Sequence, residues 1–85
     1  MSKVEVYSTQ LCAHCWRVKN LLDGRGIAYI EIDAANETGR MSMIARTGGA
    51  RTVPQVFVDG QYIGGADEFA DYARGGGLEK LSEAD

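Results

Sequence analysis

Cys12 and Cys15, the only two cysteines of the chain, stand with Ala13 and His14 between them. That spacing brings two sulfurs within one helical turn, close enough to bond and easy to part again. As a structural staple the pair is poor, because a disulfide stabilises mainly by closing a long loop in the unfolded chain. As a zinc site it lacks ligands, since a structural zinc takes four and the chain has one histidine and no second Cys-x-x-Cys. Reversible thiol–disulfide chemistry is what remains.

The elements around the pair must decide which sulfur attacks. Val4 and Val6 alternate with Lys3 and Glu5, the period-2 pattern of a half-buried strand. From about Ala13 to Asp23 the spacing turns helical, with Val18, Leu21 and Leu22 on one face and Gly24 and Gly26 as the stop. Ile27 to Asp33 returns to alternation, Ile30 and Ile32 on one side, Tyr29 and Glu31 on the other. The cysteines therefore sit where a first strand hands over to a first helix. A sulfur at a helix start meets unpaired N–H groups and the positive end of the helix dipole, and both favour the thiolate, which is the nucleophile. Cys12, just outside the helix, is expected to attack. Cys15, a turn inside and more buried, is expected to resolve the intermediate. Arg17 and Lys19 add positive charge nearby, and His14 is placed to contribute an imidazolium or to line a groove.

Farther along, Asn36 or Thr38 can cap a second helix with Met41, Ile44 and Ala45 as its apolar face and Gly48-Gly49 as its end. Gln55 to Ile63 holds two short apolar runs joined by Asp59-Gly60, a strong hairpin signal. Asp67 can cap a third helix with Phe69, Ala70, Tyr72 and Ala73 inward. Gly75-Gly76-Gly77 end it, and Leu78 and Leu81 suggest one last amphipathic turn. The expected order is β-α-β-α-β-β-α in one domain spanning residues 1–85.

Composition narrows the class. A chain of 85 residues, 45% of them apolar, buries roughly 60–65% of its unfolded surface and can build one core without staples. Nine basic against twelve acidic side chains leave a net charge of −3, which argues against nucleic acid or an anionic membrane as the main partner. No apolar run approaches the roughly 20 residues of a membrane span, and the start, Met1 to Tyr7, reads as no signal peptide. A cytoplasmic, reducing setting is the expectation.

Taken in order, Cys12-Ala13-His14-Cys15 after the first strand, Thr52-Val53-Pro54 before the hairpin and Gly64-Gly65-Ala66-Asp67 after it resemble the glutaredoxin family, in particular its small dithiol members of bacterial type. The resemblance covers nearly the whole chain. It implies a thioredoxin-like α/β fold, a four-stranded mixed sheet flanked by helices, with glutathione as co-substrate and no bound cofactor required. It implies a cis Val53–Pro54 bond that leaves the Val53 N–H and C=O free to pair with an extended cysteinyl peptide. It also implies that the N–H groups of Asp67 and Glu68, at a helix start, take the γ-glutamyl carboxylate, with Asp67 accepting from the ammonium. Arg40 falls where the family carries a cation or amide for the glycine carboxylate, and Arg51 is the rival for that role. His14, Thr52, Val53, Pro54 and Gly65 complete the expected groove. The chain departs from the pattern at Ala13, where dithiol members usually have proline, at Thr9, where they usually have lysine, and at His14, where an aromatic is usual.

Two readings stand beside each other within that resemblance. In the first the chain is a glutathione-dependent oxidoreductase, a monomer acting on glutathionylated or disulfide-bonded proteins through Cys12 and Cys15. In the alternative it is a carrier or sensor in which Cys12 from each of two copies, with two glutathiones, holds a [2Fe–2S] cluster in a bridged dimer; Ala13 in place of proline keeps that open. A third reading, a redoxin served by thioredoxin reductase, would not need Arg40, Asp67 and Glu68 as a glutathione groove.

Overall fold

The computed structural model describes the backbone of residues 3–84 and side chains as far as residue 81. Met1 and Ser2, the first residues of the start read above, and Asp85, the end of the expected domain, lie outside the described residues. The order is β1 (Val4–Ser8), α1 (Ala13–Gly24), β2 (Ile30–Asp33), α2 (Glu37–Thr47), β3 (Gln55–Val58), β4 (Gln61–Gly64), α3 (Ala66–Arg74) and α4 (Gly77–Ala84). The strands form one sheet in the order β2-β1-β3-β4. β1 pairs parallel with β2 and antiparallel with β3, and β3 pairs antiparallel with β4. This is the thioredoxin-like arrangement.

Strand alternation divides the core. Val4 and Val6 of β1 and Val56 and Val58 of β3 point to one face, where Val18 and Leu22 of α1, Phe69 of α3 and Leu78 and Leu81 of α4 cover them. Tyr7 and Phe57, from the same strands, point to the other face and pack with Met43 of α2 and with Ala34, just after β2. Each such side chain fully buried contributes about 1.5–3 kcal/mol. The two central strands are covered on both faces, so all of β3 and all of β1 but Glu5 are buried. Between β3 and β4, Asp59 (φ 51°) and Gly60 (φ 80°) both adopt positive φ, as a two-residue hairpin turn of the primed type requires.

Four expectations change. β2 begins at Ile30 rather than Ile27. As an edge strand it leaves Ile30 exposed, while Ile27, ahead of the strand, is buried in the core. On α1, Leu21 faces outward; Val18 and Leu22 carry the burial. On α2 the buried positions are Gly39 and Met43, and Met41 is exposed. The physical reason is close approach. A Cβ on Gly39 would fall 1.9 Å from the Asp33 carbonyl oxygen, so only glycine lets this turn touch the end of β2, and that contact fixes which face looks inward. The cap there is Asn36, whose side-chain oxygen accepts the Gly39 N–H at 2.7 Å. Finally, the expected last turn is a complete eight-residue helix, α4.

Candidate active site

Thr9, Gln10 and Leu11 carry the chain from β1 to α1, and Cys12 is the N-cap of that helix. Its backbone is extended (φ −141°, ψ 109°), and its sulfur accepts the amide N–H of Cys15 at 3.2 Å. A serine or aspartate oxygen usually fills this role; here the Cys12 sulfur does. No acidic side chain lies in the first turn of α1, so no carboxylate there competes with the sulfur for the positive end of the helix. The Cys12 thiol, half-buried, also donates to the Val53 carbonyl oxygen, 3.8 Å away.

Cys15 is fully buried one turn farther in. Burial first, and then its hydrogen bond with Cys12, push its thiol up to about 11. Both thiols are free. The two sulfurs thus stand close together in different surroundings, one reachable from outside and one behind it, as the sequence led us to expect. Of the nearby cations, Lys19 is bonded to Glu31 at 2.8 Å, and the same Glu31 oxygen accepts the buried Ser8 hydroxyl at 2.6 Å. Lys19 still pulls the Cys15 thiol downward, against burial. Arg17 and His14, both exposed, touch at 3.4 Å.

Beside Cys12 opens a groove of about 410 Å³. His14, Thr52, Val53, Pro54, Gly65, Asp67 and Glu68 all line it, so the fold gathers most of the expected residues from three separate stretches of chain. The Val53–Pro54 bond is cis. Val53 precedes β3 and takes no part in its ladder, and among the described residues none accepts its N–H. Arg40 is not in the groove wall; it lies exposed on the first turn of α2, its amide bonded to the Asn36 carbonyl. Arg51 is exposed as well and also outside the lining.

At the far end of the groove one expectation is corrected. The cap of α3 is Gly65, not Asp67, which sits in the first turn. The Glu68 carboxylate reaches back to the Gly65 N–H at 2.8 Å, half of a capping box, leaving the Asp67 side chain unspent on capping. Three lining residues were not expected in the groove, Gln55, Tyr62 and Ala66. The signal was there: Gln55 is a polar residue in an otherwise apolar strand, Gln-Val-Phe-Val, and it is buried. Among the described residues no group of three or more His, Cys, Asp or Glu could hold a metal ion. Of the two cysteines, Cys12 is the one with an accessible side chain.

Known proteins resemble this chain in sequence and in shape. A family model described as Glutaredoxin matches residues 4–63. Glutaredoxin 1 of Rickettsia conorii is 40% identical over 80 residues, 92% of this chain and 78% of that protein. Glutaredoxin 3 of Escherichia coli strain K12 is 35% identical over 81 residues, 95% of this chain and 98% of that one. Among solved structures, a buckwheat glutaredoxin–glutathione complex superposes with a TM-score of 0.82 at 36% identity, covering 96% of this chain and 78% of its own.

Proposed function

The chain belongs to the glutaredoxin family and is a thiol–disulfide oxidoreductase, and from that premise we propose that it uses glutathione to reduce protein–glutathione mixed disulfides and protein disulfides. The observation that carries this reading is that the Cys12 sulfur lies 3.8 Å from the carbonyl oxygen of Val53, a residue that lines the groove together with Gly65 and Asp67. The Cys12 thiolate attacks the glutathione sulfur of a mixed disulfide; the protein thiolate leaves and a Cys12–glutathione disulfide forms. A second glutathione thiolate attacks that glutathione sulfur, releasing oxidised glutathione and restoring Cys12. With a protein disulfide, the Cys12 thiolate attacks one protein sulfur, the S–S bond breaks, and the other protein sulfur leaves as a thiolate. Cys15 then attacks Cys12, the protein thiolate departs, and the Cys12–Cys15 disulfide is reduced by two glutathiones.

Glutathione fits the groove chemically. Its cysteinyl backbone can pair with the free Val53 N–H as an added strand would. Its γ-glutamyl carboxylate suits the N–H groups at the start of α3, and its ammonium suits the Asp67 carboxylate. We place the protein in a reducing cytoplasm, where such a donor is abundant. The test is turnover of a glutathionylated peptide with glutathione, glutathione reductase and NADPH. Reduction that proceeds only with thioredoxin reductase, and not with glutathione, overturns the proposal.

A further inference from the structure

Tyr62 is exposed on β4, yet its hydroxyl donates to the Gln55 side-chain oxygen at 2.5 Å, and its ring packs against Phe57 at 5.2 Å between centroids. The other end of the buried Gln55 amide donates to the Thr52 carbonyl at 2.9 Å and approaches the Thr52 hydroxyl at 3.4 Å. The orientation of this amide is fixed by its partners: a carbonyl only accepts, so nitrogen must face Thr52 and oxygen must face the phenol. The chain of hydrogen bonds from Tyr62 through Gln55 ends on the carbonyl of one peptide unit, Thr52–Val53. That unit is planar, with its C=O and N–H pointing oppositely. Holding the Thr52 oxygen therefore sets the direction of the Val53 N–H, which no described residue accepts.

We propose that Tyr62 and Gln55 are positioning residues: through the Tyr62–Gln55–Thr52 chain they aim the Val53 N–H at the cysteinyl backbone of bound glutathione. This deepens the proposed function and rests on its assignment of the groove. Neither side chain touches the reacting sulfurs. Their effect falls on how well the tripeptide is seated, because a freely rotating peptide plane would have to be ordered at each binding event. The phenol is at the solvent edge of the chain, so removing it loosens the relay without opening a cavity.

The test uses Tyr62→Phe, which deletes only the hydroxyl, and Gln55→Glu, which keeps an acceptor for Tyr62 but loses the donor to Thr52. Two readouts are taken. The first is the Val53 amide cross-peak in a ¹⁵N NMR spectrum without glutathione, which should move in both variants. The second is steady-state turnover of a glutathionylated peptide, in which KM for glutathione should rise about three- to tenfold, the worth of a neutral hydrogen bond, with kcat within twofold. A Val53 amide that stays in place in both variants, or an unchanged KM in both, overturns the proposal. Should the wild-type protein fail to turn over with glutathione, the groove assignment falls. The aiming of the N–H at glutathione falls with it, even if the amide readout still registers the hydrogen-bond chain.

Discussion

The amide N–H of Cys15 points at the sulfur of Cys12, 3.2 Å away. One turn of helix thus gives the Cys12 sulfur its hydrogen bond and, on the donating residue, holds the second thiol. The two sulfurs are neighbours with opposite circumstances. Cys12 has a backbone donor and access to the groove, while Cys15 has no exposure and a thiol held high by burial.

Cys12→Ser is expected to lose all redox activity, and Cys15→Ser to keep deglutathionylation while losing reduction of protein disulfides. Only the second reaction needs a resolving thiol. Both substrates should be assayed on each variant, and appreciable deglutathionylation by Cys12→Ser would mean the roles are reversed.

The resolving step should accelerate with pH. Burial, the largest cause that raises the Cys15 thiol, persists when Cys12 is in a mixed disulfide, so Cys15 is still mostly protonated at neutrality and its thiolate fraction grows about tenfold per pH unit until the pKa is approached. Lys19 opposes the burial of Cys15, so Lys19→Gln should slow resolution at any given pH and shift its profile to higher pH. Trp16, beside Cys15 and the chain's only tryptophan, allows stopped-flow fluorescence to follow the step. A resolution rate flat between pH 7 and 9 would contradict this.

Asp67→Ala should raise KM for glutathione roughly three- to tenfold with little change in kcat, since an exposed charged contact far from the sulfur contributes to binding rather than to chemistry. Arg40→Ala should have a smaller effect, because Arg40 stands outside the groove lining. The comparison needs only the two KM values. An Arg40→Ala effect larger than that of Asp67→Ala would show that the tripeptide extends across α2.

Phe69→Ala should destabilise the fold by about 3–5 kcal/mol, the cost of emptying a fully buried aromatic site that joins α3 to the α1 face of the sheet. Leu11→Ala, at a fully exposed position, should stay within about 0.5 kcal/mol. Urea unfolding midpoints for the two variants check both values, and a small loss at Phe69 would show that α3 contributes little to the core.

What the sequence determined by itself was local and periodic. The cysteine spacing, the alternation of Val4 and Val6, and the Asp59-Gly60 turn each express a preference of a few adjacent residues, and neighbours along the chain suffice to state it. The ordered motifs added the family, and with it the cis Val53–Pro54 bond and most of the groove. Tertiary structure decided whatever depends on which surfaces meet. The inward face of α2 follows from the contact of Gly39 with the Asp33 carbonyl, 1.9 Å from where a Cβ would stand, and hydropathy spacing carries no trace of that contact. The cap of α3 passed to Gly65 because Glu68 could reach back to its N–H. The bond from Tyr62 to Gln55 spans a hairpin, and that from Gln55 to Thr52 the loop before it. Such partners are found only once the strands have paired, because a side-chain hydrogen bond depends on distance and angle in space, and order along the chain fixes neither.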